Sequence, residues 1–278
     1  MKLETVKSEF WQEVPEPDDP FGARICRCAG YDVYGELIQR ASYIEVLYLI
    51  FCGERPTREA ARMLQILAIA LANPGPRDPM VHAAMSAGVG GSTHAACLMA
   101  ALAVGAGQRG GARELVLAME MFAVAGVDVV AWRAQFARGY ARPFRDGWGE
   151  LEHFPGFDPN AKVCALPVVQ SLAALADRRR DGRTVWLCGA REELQQAAGL
   201  PLSMIGVAAV VFLDLELSTA QAEMLFLLLR LPGAAAHALE QESLGWKHFP
   251  FFNEVLKLKD VDVGEEEVNA TVECVAQL

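Results

Sequence analysis

Five histidines (His82, His94, His153, His237 and His248) and seven cysteines are the side chains of this chain with the most direct chemical potential. The histidines form no HExxH and no His/Cys cluster. Cys26-Arg27-Cys28 sets two thiols two residues apart with no matching second pair, too few for a four-ligand zinc site, and no structural metal is expected. No Gly-x-Ser-x-Gly elbow is present, so nothing points to a Ser-His-Asp hydrolase. Gly105-Ala106-Gly107-Gln108-Arg109-Gly110 fits Gly-x-Gly-x-x-Gly, but a dinucleotide loop must follow a strand. The run before it, His94 to Ala101, reads as helix. These glycines are instead expected to allow close backbone approach at a helix start, where free N–H groups attract anions. Arg230 ends the apolar run Leu225 to Leu229 and must snorkel, pair or bind an anion. His237, alone in an apolar helix, reads as a hydrogen-bonded core residue.

The elements that would position these residues are helical almost throughout. Apolar positions recur at helical spacing from Glu36 to Cys52, and Gly53 stops the run. Thr57 is placed to cap the next helix, which ends before Asn73-Pro74-Gly75-Pro76. Pro79 fits a first turn, and Ser92 or Thr93 a cap for a helix through Ala103. Helices are expected over Gly111–Ala125, Asp128–Arg138, Asp158–Asp177, Glu192–Ala198 and Ser203–Leu217. Ser218-Thr219-Ala220-Gln221 is a capping box for a helix through Leu231, with another from Gly233 to Ser243. The first twenty residues, with Pro15, Pro17 and Pro20, read as an extended arm. Only Val261 to Val275 suggests strand, so the class is all-α.

Composition narrows the partners. The chain has 278 residues, 53% hydrophobic and 22% charged, enough for a large core and unlike a disordered chain. A formal net charge of -10 argues against a nucleic-acid partner. The stretch free of charged residues, Pro79 to Gln108, is rich in Gly and Ala and reads as buried helix, not a membrane span. An N-terminus without an apolar signal core, together with an odd number of scattered cysteines, suggests a reduced, cytoplasmic setting.

Four segments, in order, resemble the citrate synthase superfamily and its short citryl-CoA lyase-like branch. The first runs from Gly30-Tyr31-Asp32-Val33 through Glu36-Leu37 and Ser42-Tyr43-Ile44-Glu45-Val46-Leu47-Tyr48-Leu49 to Gly53-Glu54-Arg55-Pro56-Thr57, with Ala29 where the family has arginine. The second, Gly107 to Ala112, is similar to the family's GxxHGGA turn. The third, Asp158-Pro159-Asn160-Ala161, is similar to its DPRA. The fourth, Phe226 to Gln241, is similar to its FxxxRxxGxxAHxxEQ. The resemblance implies a helical homodimer. Residues 1–106 and 203–278 would form a discontinuous large domain, and 107–202 a small domain closing over an acyl-CoA. It implies carbon–carbon bond formation or cleavage on a CoA thioester of a di- or tricarboxylate, with no permanently bound cofactor. Such chemistry needs a base beside the thioester, donors for the enolate oxygen and arginines for the carboxylates.

Carried over position by position, the resemblance makes Arg230 a substrate-carboxylate arginine. Arg109 stands where the family has its enolate-binding histidine and offers a permanent cation. His153 is the candidate for the second catalytic histidine, although it lies two residues nearer Asp158 than the family pattern has it. His94 is a candidate substrate contact. Lys247 stands near the position of the arginine that the partner subunit contributes in the family. The family's catalytic aspartate has no counterpart: Leu202 or Ser203 occupies its place. The nearest downstream acids, Asp214 and Glu216, lie about 18 Å along a helix. Ordinary citrate synthase turnover is therefore not expected. The two readings left are an altered citryl-CoA lyase-like enzyme and a non-catalytic homologue that binds a CoA or dicarboxylate ligand or serves as a partner subunit.

Overall fold

Most of the described helices start where a neighbouring side chain satisfies their free N–H groups. The protein, as a computed structural model, is described over residues 6–19, 21–140 and 151–249. Thr57 caps α3 (Arg58–Leu71) and Thr93 caps α5 (His94–Gly105), each side chain accepting from a first-turn amide. Asp78, followed by Pro79 in the first turn, caps α4 (Pro79–Val89). Gly111 precedes α6 (Ala112–Ala125), and Asp128 caps α7 (Val129–Ala137). Ser203 caps the apolar α10 (Met204–Asp214). Ser218 and Gln221 form the expected capping box of α11 (Thr219–Leu244).

Several elements depart from the sequence reading. The helix expected from Glu36 to Cys52 is split into a π-type turn (Val33–Leu37), a single turn α1 (Ile38–Arg40) and α2 (Tyr43–Cys52). A second capping box, Ser42 with Glu45, restarts the chain there. The helix expected from Asp158 begins only at α8 (Leu166–Ala176), and Pro167 in its first turn explains why. Inside a longer helix that proline would lack its N–H and clash with the preceding turn. Helix α9 (Arg183–Ala198) is much longer than expected, because Asp214, about thirty residues away, accepts from the backbone N–H of Arg183 and Thr184 at 2.9 Å. The two helices expected around Pro232 are one. Pro232 has no N–H to give, and the next amide, Gly233, donates to Ala72 O at 2.7 Å instead of continuing the ladder.

The expected arm is instead paired. Strands β1 (Val6–Lys7), β2 (Trp11–Pro15), β3 (Ala23–Cys28) and β4 (Tyr31–Asp32) form an antiparallel sheet in that order. Positive φ at Ala29 and Gly30 makes the two-residue turn into β4. The strand expected at Val261 to Val275 lies outside the described residues. The architecture remains helical, with a small N-terminal sheet.

Among the described residues, a small cluster of Cys28, Leu37 and Leu49 packs the sheet and the π-type turn against α2, and two larger cores hold the helices. The larger joins α2, α3, α6 to α10 and the first half of α11, around Phe122, Trp132, Phe157 and Phe212. The smaller joins α4, α5 and the second half of α11 through Met80, Met85, Ala101, Ala234 and Ala238. Small residues permit that closeness: a Cβ on Gly88 would lie 2.7 Å from Ala238 O; where α11 passes the end of α3, one on Gly233 would lie 2.6 Å from Ala72 O. Helix α11 belongs to both cores, and Arg230 sits at the change-over between them.

Candidate functional site

The glycine-rich turn between α5 and α6 is built by close approach. A Cβ on Gly111 would fall 2.3 Å from Gly107 O, and Gly110 adopts φ +72°. The tight turn places Gly110, and Glu114 in the first turn of α6, on the wall of a cavity of about 630 Å³. The start of α4, the loop 151–160 and the start of α10 form its other walls. That loop is fixed by its backbone. Asp158 N donates to Pro201 O (2.8 Å), Ser203 N donates to Gly156 O (3.0 Å), and Phe157 bridges to Leu202. Gly156 and Gly206 lie back to back; a Cβ on Gly206 would meet Gly156 O at 2.5 Å.

Arg109 and His153 both line this cavity. Arg109 is exposed at the mouth and donates to Glu152 at 3.0 Å. His153 is buried, with Nε2 3.3 Å from Glu114 Oε1. Arg230 is buried one layer beneath. It pairs with Asp78, donates to Gly110 O at 3.2 Å, and lies 4.8 Å above the Phe226 ring. It does not line the cavity; in this structure its fork is occupied by Asp78 and by the turn it supports. His94, exposed at the start of α5, bonds Glu242 at 3.0 Å and lies outside the cavity. Lys247 is exposed on the short 3₁₀ turn Trp246–His248, also outside it. His237 is held between Glu240 (2.9 Å) and Asn73 (3.2 Å).

The sequence reading missed three residues. Glu114, 2% exposed, accepts from Gly110 N (2.8 Å) and Gly156 N (3.1 Å) and faces His153. Its signal was an acid at the third position of a helix following a Gly-Gly turn, where a side chain can reach back to a free amide. The anion expected at that helix start is thus the chain's own carboxylate. Asp78 caps α4 with one oxygen and pairs with Arg230 through the other. Arg77, next to it, is exposed and lines the cavity. Of the two residues at the missing-aspartate position, Leu202 is buried, and Ser203 reaches the cavity wall. Asp214 is occupied in capping α9 and does not substitute for the missing aspartate.

No family model matches the sequence, and no curated protein matches it. Solved structures do match its fold. A citryl-CoA lyase from Hydrogenobacter thermophilus superposes with a TM-score of 0.69 at 18% identity, over 95% of this chain and 99% of that one. An ATP citrate lyase from Methanosaeta concilii, in complex with (3S)-citryl-CoA, gives 0.68 at 17%, over 97% of this chain and 44% of that one. An ATP citrate lyase from Methanothrix soehngenii, in complex with citrate and coenzyme A, gives 0.69 at 18%, over 96% and 43%. At such identities the likeness is one of fold: the chain has the helical architecture of the citryl-CoA lyase.

Proposed function

We propose that this chain is a citryl-CoA lyase-like enzyme that breaks or forms a carbon–carbon bond in a CoA thioester of a di- or tricarboxylate. The observation that supports it most is a buried imidazole–carboxylate pair, His153 with Glu114, on the wall of a cavity whose mouth carries Arg77 and Arg109. In cleavage of citryl-CoA, an imidazole nitrogen of His153 takes the hydroxyl proton as the carbon–carbon bond breaks. The bonding pair passes to the thioester as an enolate, and Arg109, released from Glu152, offsets its charge. The enolate carbon then takes a proton from water, and His153 gives its proton to the hydroxide so formed, leaving acetyl-CoA, oxaloacetate and a neutral imidazole. Arg230 acts on carboxylates only if a ligand displaces Asp78, so Arg77 is the more accessible cation for them. His94 and Lys247 remain candidate contacts through a partner subunit or a closed form. The proposed assembly is a homodimer, to which the exposed apolar Met99 and Val104 on α5 and Met224 and Leu228 on α11 lend support. The proposed small domain, residues 107–202, would close over the coenzyme.

The second reading is a homologue that binds such a ligand without turnover. Leu202 and Ser203 favour it, since neither can accept a proton from carbon. One experiment separates the two: thermal stabilisation by acetyl-CoA, oxaloacetate and citrate, followed by a citryl-CoA cleavage assay. Stabilisation with cleavage supports the enzyme, and stabilisation alone supports the binding homologue. Failure of every CoA ester to stabilise the protein removes both. Ser203→Asp refines the test. Aspartate caps helices as well as serine does, so the variant should stay folded while placing a carboxylate at the cavity. Gain of acetyl-CoA methyl exchange with deuterated water would identify the missing base.

A further inference from the structure

Resting on that reading of the cleft, we propose that Glu114 is its positioning residue, fixing His153 as the Nε2–H tautomer so that Nδ1 is the nitrogen that accepts a proton. An ionised carboxylate only accepts hydrogen bonds; this one accepts from the Gly110 and Gly156 amides and lies 3.3 Å from His153 Nε2, which can bond to it only as a donor. With Nε2 committed to Glu114, a neutral ring carries its lone pair on Nδ1. The same carboxylate links two walls of the cavity. Gly110 belongs to the turn that Arg230 holds from below, and Gly156 belongs to the loop that carries His153. The tautomer and the spacing of the two walls are thus set by one buried group, which the chemistry above does not itself consume.

The tautomer is read in the unliganded protein, from imidazole nitrogen shifts in long-range proton–nitrogen correlation spectra. At about pH 8.5, well above the ordinary histidine pKa, His153→Gln identifies the signal by its loss. The wild type should show protonated Nε2 and bare Nδ1. Glu114→Gln offers an amide N–H as well as an oxygen, and should move the ring toward the Nδ1–H form. In the citryl-CoA cleavage assay the same variant should lose about 10²- to 10⁴-fold in kcat, the worth of a correctly disposed general base. KM should change much less. A wild-type ring protonated on Nδ1, or on both nitrogens, overturns the proposal even if no Glu114 variant folds; so does a tautomer unchanged in Glu114→Gln. If the tautomers behave as stated but no CoA ester binds, the proposed function fails and the positioning of His153 by Glu114 stands.

Discussion

The buried layer under the Gly105–Gly111 turn and the rim above it use the same residue types to opposite effect. Below, Arg230 and Asp78 are almost or largely out of solvent, with side-chain exposures of 3% and 15%. Every group they touch is also held: the α4 cap, Gly110 O and the Phe226 face. Above, Arg109 and Glu152 form an ion pair at 3.0 Å with exposures of 67% and 81%. Water replaces either partner at little cost there. The buried arginine builds the site's shape, whereas the exposed one stays free to exchange its partner for a ligand. An arginine's role in this fold follows from its depth more than from its motif.

Four substitutions test that contrast, in descending order of effect. Asp78→Ala leaves Arg230 buried without its counter-ion and removes the α4 cap; a loss of about 3–5 kcal/mol in urea unfolding is expected. A loss near that of a surface pair would mean the buried layer does not support the turn. Gly206→Ala forces a methyl into Gly156 O, 2.5 Å away. The overpacking should cost about 1–3 kcal/mol and disturb the loop that carries His153, which would appear as broadened His153 signals.

Ser42→Ala removes the capping box of α2, a solvent-facing device outside the site, and should cost about 1 kcal/mol by thermal unfolding. The backbone N–H of Ser42, and then its hydroxyl, hold the Glu45 carboxyl below its ordinary range. Its contribution is therefore complete above the ordinary carboxylate pKa, and is lost as pH falls through the lower folded value. The difference between Ser42→Ala and wild type should shrink in acid along that course. Arg109→Gln should change stability least, by under about 1 kcal/mol. If the proposed function holds, it should still weaken stabilisation by acetyl-CoA. A large stability loss would erase the distinction between rim and buried layer.

Capping side chains within a few residues of the amides they bind made most helix starts legible: Thr57, Thr93, Asp128, and Ser218 with Gln221. The glycine-rich turn was legible as a close approach at a helix start for the same reason. The partners of Glu114 at His153 and Gly156 were not, because they lie 39 and 42 residues away. Nor was the cap that Asp214 gives α9 from across the core. No local pattern encodes which distant amide a carboxylate will meet.

The dipeptide Asp-Pro occurs at three places, and two of them, Asp78-Pro79 and Asp158-Pro159, mark the limit of what the chain states about itself. By itself the sequence determined that each aspartate would accept from amides just after it, and both do. At residue 78 the accepted amides open a helix. At residue 158 the aspartate accepts from Asn160 N, and its own amide is drawn to Pro201 O, so the segment becomes cavity wall instead of helix. Local hydrogen-bond chemistry set the first-turn contacts at both sites. Pro167 barred a long helix running on from residue 158, but only the packing of loop 151–160 onto the start of α10 decided that this segment would line the cavity.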